Sequence, residues 1–169
     1  MSGKDLSNTS RTNWAALEAM TDEEIDYSDI PPLMDEFFEN ATPNNSLICI
    51  GDGDNIGDVI DFHLLSGNLE EASKFSSEVK AALEDIATLA KSEIKASLIY
   101  VAGDDICFIV SANLNISDIL TSYAEFFLKK TGKTMSFGIG RTSVEALICL
   151  RKAKVSGKGL VITSGGNQK

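Results

Sequence analysis

Two short acidic clusters carry the chemistry in this chain of 169 residues. Gly51-Asp52-Gly53-Asp54 follows the apolar run Leu47-Ile48-Cys49-Ile50, and Asp104-Asp105 follows Ala102-Gly103. Carboxylates brought within a few ångströms of one another repel unless a cation neutralises them. Hard oxygen ligands of this kind suit Mg²⁺ or Mn²⁺, which share their coordination with substrate phosphates. Two such ions can activate an attacking hydroxyl and stabilise a leaving pyrophosphate. Either cluster alone reads more simply as a turn, because Gly and Asp are common turn residues. Both together, at matched ends of adjacent strands, favour a metal site for nucleotidyl transfer built from three or four of Asp52, Asp54, Asp104 and Asp105.

Glycines and lysines around these acids are the candidate phosphate contacts. Gly51, Gly53 and Gly57 bracket the start of a helix, together with Asp54 and Asn55, and free N–H groups at a helix start receive phosphate oxygens. No Gly-Lys-Ser/Thr follows the first strand, so this is not a Walker loop. Positive charge comes instead from Lys154 and Lys158, where the last helix ends. Lysine serves as a point charge for a terminal phosphate, although lysines at a helix C-terminus also simply complement the macrodipole. His63, the single histidine, has no cysteine or second histidine nearby, which argues against a zinc site.

The elements that must position these residues follow from periodicity. Leu47–Ile50 reads as a central strand, Ile56–Leu65 as a helix, and Leu69–Lys95 as a long second helix beyond the break at Gly67-Asn68. Ala96–Val101 and Ile106–Ser111 read as a hairpin. Helix 116–130, strand 135–139, helix 143–154 and a last strand 159–163 complete the order. Setting aside the second and last helices and the last strand leaves β-α-β-β-α-β, a ferredoxin-like α+β arrangement with an antiparallel central sheet and helices on one face. The first strand then lies beside the hairpin, and the two acidic clusters meet at one sheet end.

The net charge of −10 is unevenly spread. Residues 1–40 hold ten acids and two bases, whereas 129–169 hold nine bases and one acid, Glu145. A basic end of this kind favours an anionic ligand. Residues 1–45 read as an acidic N-terminal extension, with a short amphipathic helix over Asn13–Met20 and spaced aromatic anchors that suit docking on a protein partner or a solvated tail. Residues 46–165 read as the catalytic domain. No run of 18 apolar residues predicts a membrane span, and the polar start lacks a secretory pattern. Cys49, Cys107 and Cys149, far apart in apolar runs, read as buried free thiols of a cytoplasmic protein.

The series Ile50-Gly51-Asp52-Gly53-Asp54-Asn55-Ile56-Gly57, Ala102-Gly103-Asp104-Asp105, Ser136-Phe137-Gly138-Ile139-Gly140, Glu145-Ala146-Leu147 and Ala153-Lys154 with Gly157-Lys158 resembles the GGDEF-like palm domains. These include diguanylate cyclases and the polymerase subunit of type III CRISPR complexes. Over roughly residues 47–163 the chain looks most like the minimal CRISPR polymerase family. The resemblance implies a palm fold and two-metal chemistry that turns ATP-like substrates into cyclic oligonucleotides or dinucleotides in antiviral signalling. It implies Mg²⁺ (or Mn²⁺) on Asp52, Asp104 and Asp105, triphosphate contacts from Lys154 and Lys158, and close backbone approach to the nucleotide at Gly103. Three departures from diguanylate cyclases, namely Ala102, the Asp105-Ile106 pair and the lack of an upstream Arg-x-x-Asp, point toward the CRISPR-like branch. Residues 13–41 separately resemble the N-terminal part of BrnA-type antitoxins, which supports no more than a docking strip.

The expected function is therefore an Mg²⁺-dependent cyclic-nucleotide synthase acting on nucleoside triphosphates, ATP by family resemblance. The alternative is a catalytically silent nucleotide-binding sensor or scaffold. Cyclisation needs two nucleotides to meet, in one subunit or across a homodimer. With no thumb or fingers domain and a small basic surface, stable binding of a nucleic-acid duplex is not expected.

Overall fold

Side-chain alternation along the first strand sets the architecture. The computed structural model describes residues 45–165, so the readings made for the acidic extension lie outside the described residues. In chain order the elements are β1 (Ser46–Gly53), α1 (Ile56–Leu65), α2 (Leu69–Ile94), β2 (Ser97–Ala102), β3 (Asp105–Ser111), α3 (Ile116–Thr131), β4 (Met135–Gly140), α4 (Ser143–Val155) and β5 (Val161–Thr163). On β1, Cys49 faces the main core while Ile48 and Ile50 face the other side of the sheet, as the two-residue strand period requires.

The sheet order is β2-β3-β1-β4-β5. β1 pairs antiparallel with β3 and β4, β2 pairs antiparallel with β3, and β5 runs parallel to β4. The four antiparallel strands are the ferredoxin-like core expected from the sequence, with β5 added at one edge.

The three helices before β4 lie on one face of the sheet, as expected for that core, and α4, set aside from it in the sequence, covers the other face. Val79, Leu83 and Ile86 of α2 and Leu120 and Phe127 of α3 close the main core over Phe108 and Phe137. Burying one such aromatic or leucine side chain contributes about 1.5–3 kcal/mol. On the opposite face Ala146 and Leu150 of α4 pack on Ile50 and Cys107. Two glycines allow this close packing. A Cβ at Gly138 would lie 2.1 Å from the Ala146 carbonyl oxygen, and one at Gly140 would lie 2.4 Å from the Ala146 nitrogen. Thr142 and Glu145 start α4 as a reciprocal cap: the Thr142 hydroxyl accepts from the Glu145 N–H, and the Glu145 carboxylate accepts from the Arg141 N–H. Glu145 is thus a structural acid.

β1 also runs further than its apolar residues indicate. It continues through Gly53, so Asp52 belongs to the strand rather than to a turn. The reason is pairing on both sides: Asp52 faces Asp105 on β3 and Ser136 on β4. The three cysteines are buried and free.

Candidate functional site

Because Asp52 is two residues beyond Ile50 on the same strand, it emerges on the α4 face of the sheet. Asp105 is its direct partner across β1 and β3, and paired residues project to the same face. The hairpin turn between β2 and β3 consists of Gly103 and Asp104. Gly103 has φ +61° with open space around its Cα, a backbone state that glycine adopts without steric penalty. The Gly53 N–H donates to the Asp104 carbonyl at 3.0 Å, fastening the turn to the end of β1. The two acidic clusters expected to converge therefore do so.

Their electrostatics record the crowding. Burial, followed by the hydrogen bond and charge of Asp52 and the charge of Asp104, pushes the Asp105 carboxyl up to about 6. Burial, followed by the charge of Asp52, also raises Asp104. The compensating cation is Lys154, on the last turn of α4. Its Nζ contacts the Asp52 carboxylate and donates to the Asp52 carbonyl at 3.2 Å, the Gly53 carbonyl at 2.9 Å and Asp54 Oδ1 at 2.8 Å. Burial would lower the lysine's pKa, but Asp52 and Asp54 outweigh it and hold the ammonium above its ordinary value.

Asp54 plays a different part from its neighbours. It is 1% exposed, and its carboxylate is filled by protein donors. Oδ2 accepts from Thr134 Oγ1 at 2.8 Å and from the Gly159 N–H at 2.8 Å, and the Ser136 hydroxyl lies 3.0 Å from both oxygens. Burial raises this carboxyl, yet the bonds from Lys154, Thr134 and Gly159 more than offset that and hold it below its ordinary value. Asp54 positions Lys154 and ties β1 to β4 and to the approach to β5.

The predicted phosphate contacts divide. Gly51 serves packing, since a Cβ there would meet the Phe137 ring at 2.4 Å, and at Gly53 the Ile56 side chain would stand at 2.6 Å. Gly57 has open space around it. Asn55, left-handed at φ 61°, starts α1 without a side-chain cap bond, so the helix start remains a surface suited to anions. Its Oδ1 accepts from Lys158 Nζ, which brings Lys158 beside that start.

The sequence reading named no base-reading residue. A cleft of about 250 Å³ opens beside Gly103 and Asp104, between α1 and α2. Ser76, Lys80 and Glu84 line one wall, with Ile56, Ile60 and Val101 as its apolar side. The signal was a four-residue spacing of polar residues on one helical face, indistinguishable in sequence from a solvated stripe. Among the described residues, no three His, Cys, Asp or Glu side chains form a ready metal cage. None of the described helices is long and apolar enough to cross a membrane.

The family model of the minimal CRISPR polymerase domain matches residues 48–164. Among solved structures, a Csm1–Csm4 cassette in complex with cA4 is similar at TM-score 0.54 and 19% identity, covering 73% of this chain and 21% of that one. The active GGEEF domain of a diguanylate cyclase from Vibrio cholerae is similar at TM-score 0.51 and 14% identity, covering 73% and 85%. The GGDEF domain of DgcB from Caulobacter crescentus, in complex with c-di-GMP, is similar at TM-score 0.50 and 14% identity, covering 78% and 90%. At such identities the likeness is one of fold. This chain spans about a fifth of the Csm1–Csm4 cassette chain, 21%. No curated protein matches it by sequence.

Proposed function

The chain belongs to the minimal CRISPR polymerase family, and from that premise we propose that it joins nucleoside triphosphates, ATP among them, into a cyclic nucleotide signal for antiviral defence. The observation that carries this reading is the apposition of Asp52 and Asp105 across β1 and β3, with Lys154 beside them. The donor set fits Mg²⁺ or Mn²⁺: two facing carboxylates, one of them with its proton affinity raised, and Asp104 at the adjoining turn. Mg²⁺ is held by one or two carboxylates plus substrate phosphates rather than by an all-protein cage, which suits a metal that enters together with the triphosphate.

When bound, the metal would supply charge neutralisation and activation of the attacking hydroxyl. The chain's own residues do the rest. Asp52 and Asp105 would hold the metal, with Asp104 standing at the adjoining turn. Lys154 and Lys158 receive the β- and γ-phosphates, beside the uncapped start of α1 and the open Gly57. Gly103 lets the backbone come close to the nucleotide. The base enters the cleft between α1 and α2, where Ser76 and Glu84 offer acceptors to an exocyclic amine. A ribose hydroxyl oxygen then forms a bond to the α-phosphorus of a second triphosphate. The bond to pyrophosphate breaks, and the hydroxyl proton leaves to water. A second such transfer closes the ring.

The test incubates the full chain with all four nucleoside triphosphates and Mg²⁺ or Mn²⁺ and analyses the products by mass spectrometry, beside the Asp104→Ala/Asp105→Ala double variant. A cyclic product that the double variant does not make is the expected outcome and identifies the base. Stoichiometric triphosphate binding without any product under either metal would replace the synthase with a silent binding module.

A further inference from the structure

A second cavity, larger than the cleft beside Gly103, lies between α3, the start of β4 and the chain entering β5. It encloses about 340 Å³, at the small end of the roughly 300–1,000 Å³ typical of ligand sites, room for one ring system with a sugar. Its floor is apolar: Met135 is fully buried, and Leu128 and Leu160 at the lip are 44% and 39% exposed. Large apolar side chains half-open around a concavity favour a flat, apolar-faced ligand.

The polar atoms select among such ligands. Among the described residues, no lysine, arginine or histidine lines the cavity, so these walls offer no positive charge to a phosphate. Thr121 spends its hydroxyl hydrogen on the Ser117 carbonyl at 2.8 Å, and Thr134 spends its own on Asp54. Glu125 contributes a carboxylate at the exposed edge. What Thr121 and Glu125 present is therefore acceptors, which call for an N–H donor on the ligand.

We propose that this cavity binds a phosphate-free, nucleoside-sized heterocycle bearing an N–H donor, at a site separate from the acidic centre and coupled to it. The coupling is short. Thr134 and Gly159 line the cavity and both donate to Asp54 Oδ2, whose other oxygen holds Lys154. A ligand that shifts either wall acts on the carboxylate that seats the site's lysine. Binding does not require turnover, so the inference stands apart from the proposed synthesis.

The test titrates adenosine, a flat ring with an exocyclic amine and no phosphate, into the ¹⁵N-labelled full chain without metal or triphosphate. Amide shifts are expected over 117–128 and 159–161, with secondary shifts at Asp54 and Lys154. Thr121→Trp, at an exposed helical position, fills the mouth and should weaken binding by about ten-fold, ~1.4 kcal/mol. Asp105→Asn should leave it within about two-fold, under ~0.5 kcal/mol. Absent shifts, shifts confined to Gly103, Asp104 and α2, or undiminished binding by a folded Thr121→Trp chain would each overturn the proposal.

Discussion

Asp52 and Asp105 face each other as Cα partners at the end of β1, so two acids more than fifty positions apart share one strand pair. A sheet register is an exact placement. Slipping it by one residue would send each acid to the opposite face. The proximity is therefore set by the whole β1–β3 ladder rather than by a flexible turn, and it leaves the metal-free protein with a charge surplus that can be measured.

That surplus gives a stability profile. Around the Asp105 carboxyl stand Asp52 on β1, Asp104 on the turn and Lys154 on α4, and its folded value of about 6 exceeds the ordinary 3.8. A carboxyl with a raised folded value binds protons more readily folded than unfolded, so its penalty on stability grows as pH rises from 3.8 through about 6. Asp105→Asn, neutral at every pH, should melt several degrees above the parent near pH ~7.5 in the absence of metal, an advantage that shrinks toward pH ~5. A constant difference across that range, by thermal denaturation, would contradict the assignment.

Asp54 should govern stability more than any other acid. Removing one partner of a buried ion pair strands the other and costs roughly 3–5 kcal/mol. Asp54→Ala should lose up to about that much in urea unfolding, because Thr134 loses its acceptor, Gly159 keeps only Ser136 Oγ, and Lys154 loses one of its two carboxylates. A loss below ~1 kcal/mol would mean that water replaces the carboxylate and that the acid is no keystone.

Gly57 should separate stability from binding. It lies in the first turn of α1 with nothing within 4 Å of an added Cβ. Gly57→Ala should therefore stabilise the domain by about 0.5–1 kcal/mol, the helical preference of alanine. If phosphates come close to this turn, triphosphate affinity should fall in calorimetry while the melting temperature rises. Unchanged affinity would remove Gly57 from the binding surface.

The cleft between α1 and α2 predicts a change in preference. Glu84→Gln replaces an acceptor-only carboxylate with an amide that also donates. Relative affinities for ATP and GTP should shift toward GTP by about 1–2 kcal/mol, as expected when a polar contact to a base edge is rewired. Equal losses for both nucleotides, or none, would take Glu84 out of base reading.

The element order was legible because amphipathic periods differ sharply between α2 and the strands. The face chosen by α4 was not. Its inward residues Ala146, Cys149, Leu150 and Ala153 are apolar, but so are the outward Val144, Leu147 and Ile148, so no stripe marks a side. The convergence of Asp52, Asp104 and Asp105 followed from topology alone. The role of Asp54 did not, because its partners Thr134, Ser136 and Gly159 lie at least 80 residues away. The end of β1 was misjudged because Gly and Asp resemble a turn until strands on both sides claim them.

Gly138 and Gly140 give α4 the mechanics of a cantilever. The helix is clamped where its backbone at Ala146 and Leu150 touches β4. Lys154 rides on the following turn, beside the buried Ala153, four residues and about 6 Å beyond Leu150. A single methyl group at the clamp would tilt the beam and swing the ammonium away from its seat on Asp52 and Asp54. Two positions buried in the sheet thus set the aim of a charge they never contact.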